Sequence, residues 1–278
     1  MNDPGPRRFR RTPAAIWIAA GVALSAGCVA AAPAWQKTLG PTKPGTHPAM
    51  PSCSITLRLS WKGMLDAGRL SIDFAPKGVH KPGMFVTRAT ATSLGPAAGL
   101  FPYKGSMWSE IHPSSLRPRF FSGTETDRKE TVVTTNRYHS NRVECVEVTT
   151  PKGGTAKTRS EIFHFSPVYD IYSAILLVRS QKLADGDTIR LVIQPFRTPY
   201  LLTVKVHAHE LHLGRKSIRM GVSLSKIDRK TLALKPYTKM KREATLWLGD
   251  DADRIPLEFR APVFIGDVRA TLSGFTKP

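Results

Sequence analysis

Ile218-Arg219-Met220-Gly221-Val222-Ser223-Leu224 alternates apolar and polar residues without a fault. Period two is the signature of a half-buried strand, in which successive side chains point to opposite faces. Other runs repeat it. Ile55, Leu57, Leu59 and Trp61 share one face, as do Leu70, Ile72 and Phe74. Later come Ile189, Leu191 and Ile193, then Leu202, Val204 and Val206, then Leu257, Phe259 and Ala261, then Val268, Ala270 and Leu272. The opposite faces carry mostly Arg, Lys, Ser, Thr and Asp. One dry face and one wet face describe antiparallel sheet.

Turn chemistry separates the runs: Asp66-Ala67-Gly68, Lys152-Gly153-Gly154, Asp185-Gly186-Asp187 and Gly249-Asp250-Asp251. Residues 120–150 are polar and rich in Thr and Val, which favours strands without fixing their register. One stretch keeps a different period. Tyr169, Tyr172, Ile175, Leu176 and Arg179 recur at three- and four-residue spacing, which predicts a helix over about 168–183 with Asp170 near its start. Ten to twelve strands and one helix, without a repeat, make an all-β fold. A single antiparallel sheet of that size should curl into a closed or half-open barrel, with the helix plugging or lidding one end.

The chain has 278 residues and a formal charge of +20, which points to an acidic partner or surface. Arg7, Arg8, Arg10 and Arg11 precede an apolar run from Ala14 to Ala32, the pattern of an export signal. Three endings fit it. Ala32-Pro33-Ala34 is a cleavage site that would release residues from Trp35 onward. Ser25-Ala26-Gly27-Cys28 resembles a lipoprotein box with lipidation at Cys28. The run is also just long enough to stay as a membrane anchor. In each case the folded part lies in the periplasm or on the extracytoplasmic side of a membrane. Removing residues 1–34 takes away only four arginines and Asp3, so most of the charge excess belongs to the rest. Residues 35–52 hold Pro41, Pro44, Pro48 and Pro51 and read as a Pro-rich linker, leaving 53–278 as one barrel-like domain.

The chain is similar to a known family over about residues 55–275, most strongly after Pro167. Pro167-Val168-Tyr169-Asp170-Ile171-Tyr172-Ser173-Ala174, then Arg179 and Gly186, resemble the bacterial domain of unknown function 3108 family. So do Trp247, Asp250, Asp251, Arg254, Pro256 and Gly266 within 246–272. The resemblance implies an exported, mostly β envelope protein with no established reaction, and it supplies no catalytic residue. The layout also looks similar to the lipoprotein-carrier half barrels of the periplasm, a likeness of fold alone.

Residues that suggest chemistry are few. His207, His209 and His212 cannot converge on one metal from a strand without a bulge, and tetrahedral zinc needs about four ligands. Gly249-Asp250-Asp251-Ala252-Asp253 lacks calcium-loop spacing and reads as a turn whose aspartates bond backbone amides. Ser223 and Lys226 match a Ser-x-x-Lys spacing, but a strand sends them to opposite faces. The expectation is therefore no catalytic, metal or cofactor site, although a hydrolase assembled only in three dimensions stays open. Cys53 and Cys145 would form a disulfide in an oxidising compartment, or Cys145 would be a buried apolar residue.

Residues 215–242 concentrate cations: Arg215, Lys216, Arg219, Lys226, Arg229, Lys230, Lys235, Lys239, Lys241 and Arg242. They form either a solvated face or a contact for an anionic membrane surface, lipid or acidic polysaccharide. No aromatic stacking series interleaves them, so nucleic acid is not an expected partner. The leading expectation is a non-enzymatic envelope protein holding a lipid or similar amphiphile in its barrel. The alternative is a filled-core scaffold that binds acidic polysaccharide or an envelope protein.

Overall fold

A computed structural model describes residues 32–79, 81–240, 242–263 and 266–277. The expected export segment and Cys28 fall almost entirely outside the described residues, as does Lys241. Among the described residues no helix is long and apolar enough to cross a membrane.

The alternating runs become fifteen strands of one antiparallel sheet. From the N-terminus these are β1 (Cys53–Trp61), β2 (Leu65–Phe74), β3 (Phe85–Ser93), β4 (Lys104–Ile111), β5 (Pro118–Thr126), β6 (Glu130–Tyr138), β7 (Val143–Pro151) and β8 (Lys157–Phe163). Then come β9 (Thr188–Ile193), β10 (Tyr200–His212), β11 (Arg215–Ile227), β12 (Leu234–Pro236), β13 (Ala244–Gly249), β14 (Pro256–Val263) and β15 (Gly266–Thr276). Spatial order runs β8-β7-β6-β5-β4-β3-β2-β1-β15-β14-β13-β11-β10-β9, and β12 extends beside β11. The first and last strands of the chain are neighbours because β15 returns to β1, pairing Ile55 with Phe275 and Trp61 with Val268. The ladder does not close, since β8 and β9 are its two edges.

The edges meet through side chains instead. Val143 and Phe163, on β7 and β8, pack with Val192, Leu201 and Ile227 of β9–β11 in one buried cluster. Val192 and Leu201 face away from Leu191 and Leu202, so the β8 edge laps over the outer face of β9–β11. Charge stitches the same seam. Arg197 reaches Glu147 at 3.3 Å and Glu161 at 3.1 Å, and Arg229 reaches Glu161 at 2.6 Å. Asn136 and Tyr138 donate to the Gln194 carbonyl at 3.0 and 2.6 Å. The edge of β9 is covered too, by bridges to Gly40 and Tyr169.

Two α-helices interrupt the strands. Gly95–Leu100 (α1) is a short turn between β3 and β4 that the sequence pattern does not announce. Ile171–Ser180 (α2) is the expected helix, shorter than 168–183 at both ends. It starts at a reciprocal cap. Asp170 accepts from the Ser173 amide at 2.7 Å, and the Ser173 hydroxyl accepts from the Asp170 amide at 2.9 Å. The helix lies inside the curl, with Tyr172 and Leu176 in one apolar cluster and Ala174, Leu177 and Val178 in a second.

Two expectations are corrected here. Residues 35–52 are not a free linker. Ala34–Thr38 forms a 3₁₀ turn, the Trp35 indole donates to the Leu232 carbonyl at 3.0 Å, and Met50 is buried in the core. Gly45 and His47 donate their amides to Ser180. A Cβ on Gly45 would collide with the Ser180 carbonyl, so only glycine allows that approach. Prolines here shape an ordered strap rather than a spacer. The disulfide is the second correction. Cys53 and Cys145 are free and buried. Five strands, β2 to β6, lie between β1 and β7, whereas a disulfide needs Cα atoms within about 7 Å.

Candidate functional site

Among the family-like residues, Arg179, Asp250, Asp251, Arg254 and Pro256 converge at one end of the curl, where they join α2 to the β13–β14 turn. The Asp251 carboxylate accepts the Asp253 and Arg254 amides, each at 3.0 Å, and the Arg215 guanidinium at 2.9 Å. Burial pushes its pKa up, but these donors outweigh burial and hold it below the ordinary aspartate value. Arg254, thus presented, caps the last turn of α2 by donating to the carbonyls of Arg179, Gln181 and Lys182. Arg179 answers in the other direction, donating to Asp253, Pro48 and Ala252 carbonyls at 2.9, 2.6 and 3.2 Å. Asp250 is exposed beside this turn, Pro256 opens β14, and Tyr169 bridges β9. Ser109 donates to the buried Asp170 at 2.5 Å. Gly266 sits with φ of 121° against the Trp61 indole, where any Cβ would clash. These residues are joints of the fold. They leave a pocket of about 240 Å³ between the strap and α2, bordered by Met50, Phe85, Leu116 and Leu176. That is smaller than the ~300–1,000 Å³ usual for small-molecule sites.

The three histidines do not converge. His207 pairs with Glu243 at 2.9 Å, His209 with Asp185 at 2.7 Å and His212 with Glu258 at 2.7 Å. A register shift between Val206 and Ala208 re-aims the strand between the first and second. Among the described residues no group of three His, Cys, Asp or Glu is placed to hold a metal. His212 stacks on Trp247 at 4.2 Å while Arg260 covers the other side of that indole at 4.8 Å. Glu258, buried below them, is pushed up by burial and held down more strongly by Arg260 and His212, so its pKa lies below the ordinary value.

The expected cationic patch divides. Arg215 and Arg219, near the β10–β11 turn, are paired with Asp251 and Glu210, and Lys216 is exposed beside them. Lys226, Arg229, Lys230, Lys239 and Arg242 lie at the opposite end of β11 and in the connection that follows. There a cleft of about 880 Å³ collects Lys226, Arg229, Lys230, Lys235, His164 and Ile162. Arg229 and Lys235 are neutralised by Glu161 and Asp228, whereas Lys226 and Lys230 have no ion pair among the described residues. Asp228 is held well below its ordinary value by the Thr231 and Lys230 amides and by Lys235.

Burial falls along the inner face of β11 toward that end. Ile218 and Met220 are fully buried against the apolar cluster that contains Leu177. Val222 and Leu224, further along the same strand face, are only half-buried, as are Leu246, Phe259, Leu59, Leu70, Met107 and Leu272. Register ties these into one lining: Met220 opposes Leu246, Leu246 opposes Phe259, Phe259 opposes Ala270 and Ala270 opposes Leu59. Lys226 stands on the face of Val222 and Leu224, one step further along. Helix α2 fills the other half. The inner face of the curled sheet therefore carries a continuous, half-buried apolar lining packed against the two core clusters, with a cation at its end. Inner side chains of β7 and β8 depart from this pattern. Glu147, Arg159, Glu161 and Lys157 make that wall charged, which alternation in a Thr-rich segment gave no means to foresee.

This architecture places the protein among half-open, β-barrel-like folds. It is similar to the β-barrel-like protein of domain of unknown function DUF1849 from Brucella abortus, with a TM-score of 0.50 and 9% identity. The likeness covers 82% of this chain and 98% of that one. The model of the protein family of unknown function DUF3108 matches residues 56–273, so the chain belongs to that family. No curated protein matches it.

Proposed function

We propose that the chain is an exported, non-enzymatic envelope protein that holds the hydrocarbon part of an anionic amphiphile in the open half of its curled sheet. The observation that carries this reading is the lining. Val222, Leu224, Leu246 and Phe259 are half-buried and continuous with a fully packed core. These side chains pack against the core on one side and keep part of their apolar surface uncovered, and such surface gains free energy when hydrocarbon covers it, ~25 cal/mol per Å². Lys226 at the end of the lining suits a carboxylate or phosphate headgroup. The Arg-rich head and apolar run before Ala34 support an extracytoplasmic location, where such amphiphiles occur.

Titration of the delipidated protein with cis-parinaric acid tests it. Saturable fluorescence enhancement is expected, weakened about tenfold or more in Leu224→Arg, since burying an unpaired charge against a lipid chain costs well over 1.4 kcal/mol. Lys226→Glu should weaken the acid and spare its methyl ester. Equal binding by a correctly folded Leu224→Arg protein, or no binding by the wild type, refutes the reading. In the latter case the filled-core scaffold that binds acidic polysaccharide or an envelope protein takes its place.

A further inference from the structure

We propose that the rim formed by the β1–β2 turn and α1 is the element that docks on an anionic lipid bilayer. The inference rests on the lining described above as the reason for docking, but its observations are separate. Successive antiparallel strands bring the β1–β2, β3–β4, β5–β6 and β14–β15 connections to one end of the sheet. Side chains and backbone tie them together. The Lys62 amide donates to the Asp267 carbonyl at 2.7 Å, the Leu94 amide to the Ala67 carbonyl at 3.0 Å, and Arg128 to the Gly99 carbonyl.

What this rim exposes is apolar. Met64 is 81% exposed, Phe101 69% and Leu100 68%, and Trp61, Leu65 and Leu94 add to them. Six large apolar side chains held on linked turns exceed the scattered exposure that a soluble surface tolerates. Two occupants suit such a patch, a protein or a membrane, and the surrounding charge selects the second. Lys62, Lys104 and Arg128 are exposed around it. Asp66 is neutralised by Arg58 at 2.8 Å, and Asp127 is engaged by the Lys129 and Glu130 amides. An indole and aliphatic tips within a cationic collar match the boundary between headgroups and acyl chains of an anionic leaflet. Because the half-buried lining of β11 lies toward this end, insertion would set it against the lipid.

Site-directed labelling of the full chain distinguishes rim contact from any anchoring by residues 14–32. Met64→Cys, Leu100→Cys and Leu211→Cys are each made with Cys28→Ser and labelled with bimane; Cys53 and Cys145 are buried. Leu211, 75% exposed at the opposite, β10–β11 end, is the control. With phosphatidylglycerol/phosphatidylethanolamine vesicles carrying doxyl-labelled lipid, quenching at 64 and 100 should exceed that at 211 by about twofold or more. It should fall in phosphatidylcholine vesicles and at raised salt. Equal quenching at all three sites, or none at 64 and 100, overturns the proposal. A Met64→Ser/Phe101→Ser protein should lose vesicle contact yet keep binding cis-parinaric acid. Loss of the second with the first retained would instead indict the lining.

Discussion

Replacing Arg254 with alanine should destabilise the protein by about 3–5 kcal/mol, and the structure shows why. The guanidinium is nearly buried and donates to three carbonyls at the C-terminal end of α2, Arg179 in its last turn at 3.0 Å and Gln181 and, at 3.1 Å, Lys182 just beyond it. Hydrogen bonds from charged donors contribute roughly 1.5–3 kcal/mol each. A simple sum overshoots, because water enters the vacated space and solvates part of what is freed. A cation at a helix C-terminus contributes up to ~2 kcal/mol more. With a urea m-value of ~3 kcal/mol/M, the denaturation midpoint should fall by roughly 1–1.7 M. Arg254→Lys keeps the charge without the fork and should lose about half as much. Arg179 and Arg254 clamp the same joint from opposite sides, so Arg179→Met and Arg254→Ala should couple by about 1 kcal/mol or more in a double-mutant cycle. A midpoint shift below ~0.3 M, or strict additivity, would refute the argument that this pair locks α2 to the β13–β14 turn.

Three further outcomes follow from named groups. Burial pushes the Cys53 and Cys145 thiols up to about 11, so a thiolate-selective reagent should leave both unmodified in the native protein and modify both in urea. Reaction of either at native pH contradicts the packing. Burial also raises the Asp170 carboxyl against the lowering effect of Ser109 and Ser173, so wild type should gain stability relative to Asp170→Asn as pH falls from neutral toward 4. A gap that narrows on acidification would reverse the sign. Glu258 is held below its ordinary value, so its contribution is present above about pH 4.5 and lost below. Glu258→Gln should cost about 1–3 kcal/mol at pH 7, and the gap in urea midpoints should close in acid.

Alternation carried most of the fold. Ile218 to Leu224 gave both the strand and the inward face, and Ile55 to Leu59 gave the same for the strand that pairs with β15. What local pattern cannot hold is contact between distant segments. Pro41 to Pro51 read as a spacer because proline marks extended chain, while the hydrogen bonds that fasten it run from Gly45 and His47 to Ser180, more than 130 residues away. The α1 turn, Gly95-Pro96-Ala97-Ala98-Gly99-Leu100, escaped notice because two glycines disfavour helix and one turn gives no period. Residues similar to the family motif were visible as a set, but only the structure explains them, since Asp251 acts through backbone amides, and Arg254 and Arg179 through backbone carbonyls, that any residue could supply. The basic run from 215 to 242 looked continuous. A strand of thirteen residues carries its ends to opposite poles, so it is two surfaces, one paired and one open. Exposed apolar residues of the rim are legible as letters, yet alternation puts Trp61 on the inward face because it does not mark where a strand leaves the core.

The most direct measurement is organic-solvent extraction of the purified protein, isolated without detergent, followed by mass spectrometry. An anionic lipid in near-stoichiometric amount from wild type, and absent from folded Leu224→Arg, is the predicted result. A clean extract from wild type, with the lining found covered by the protein's own side chains, would contradict it.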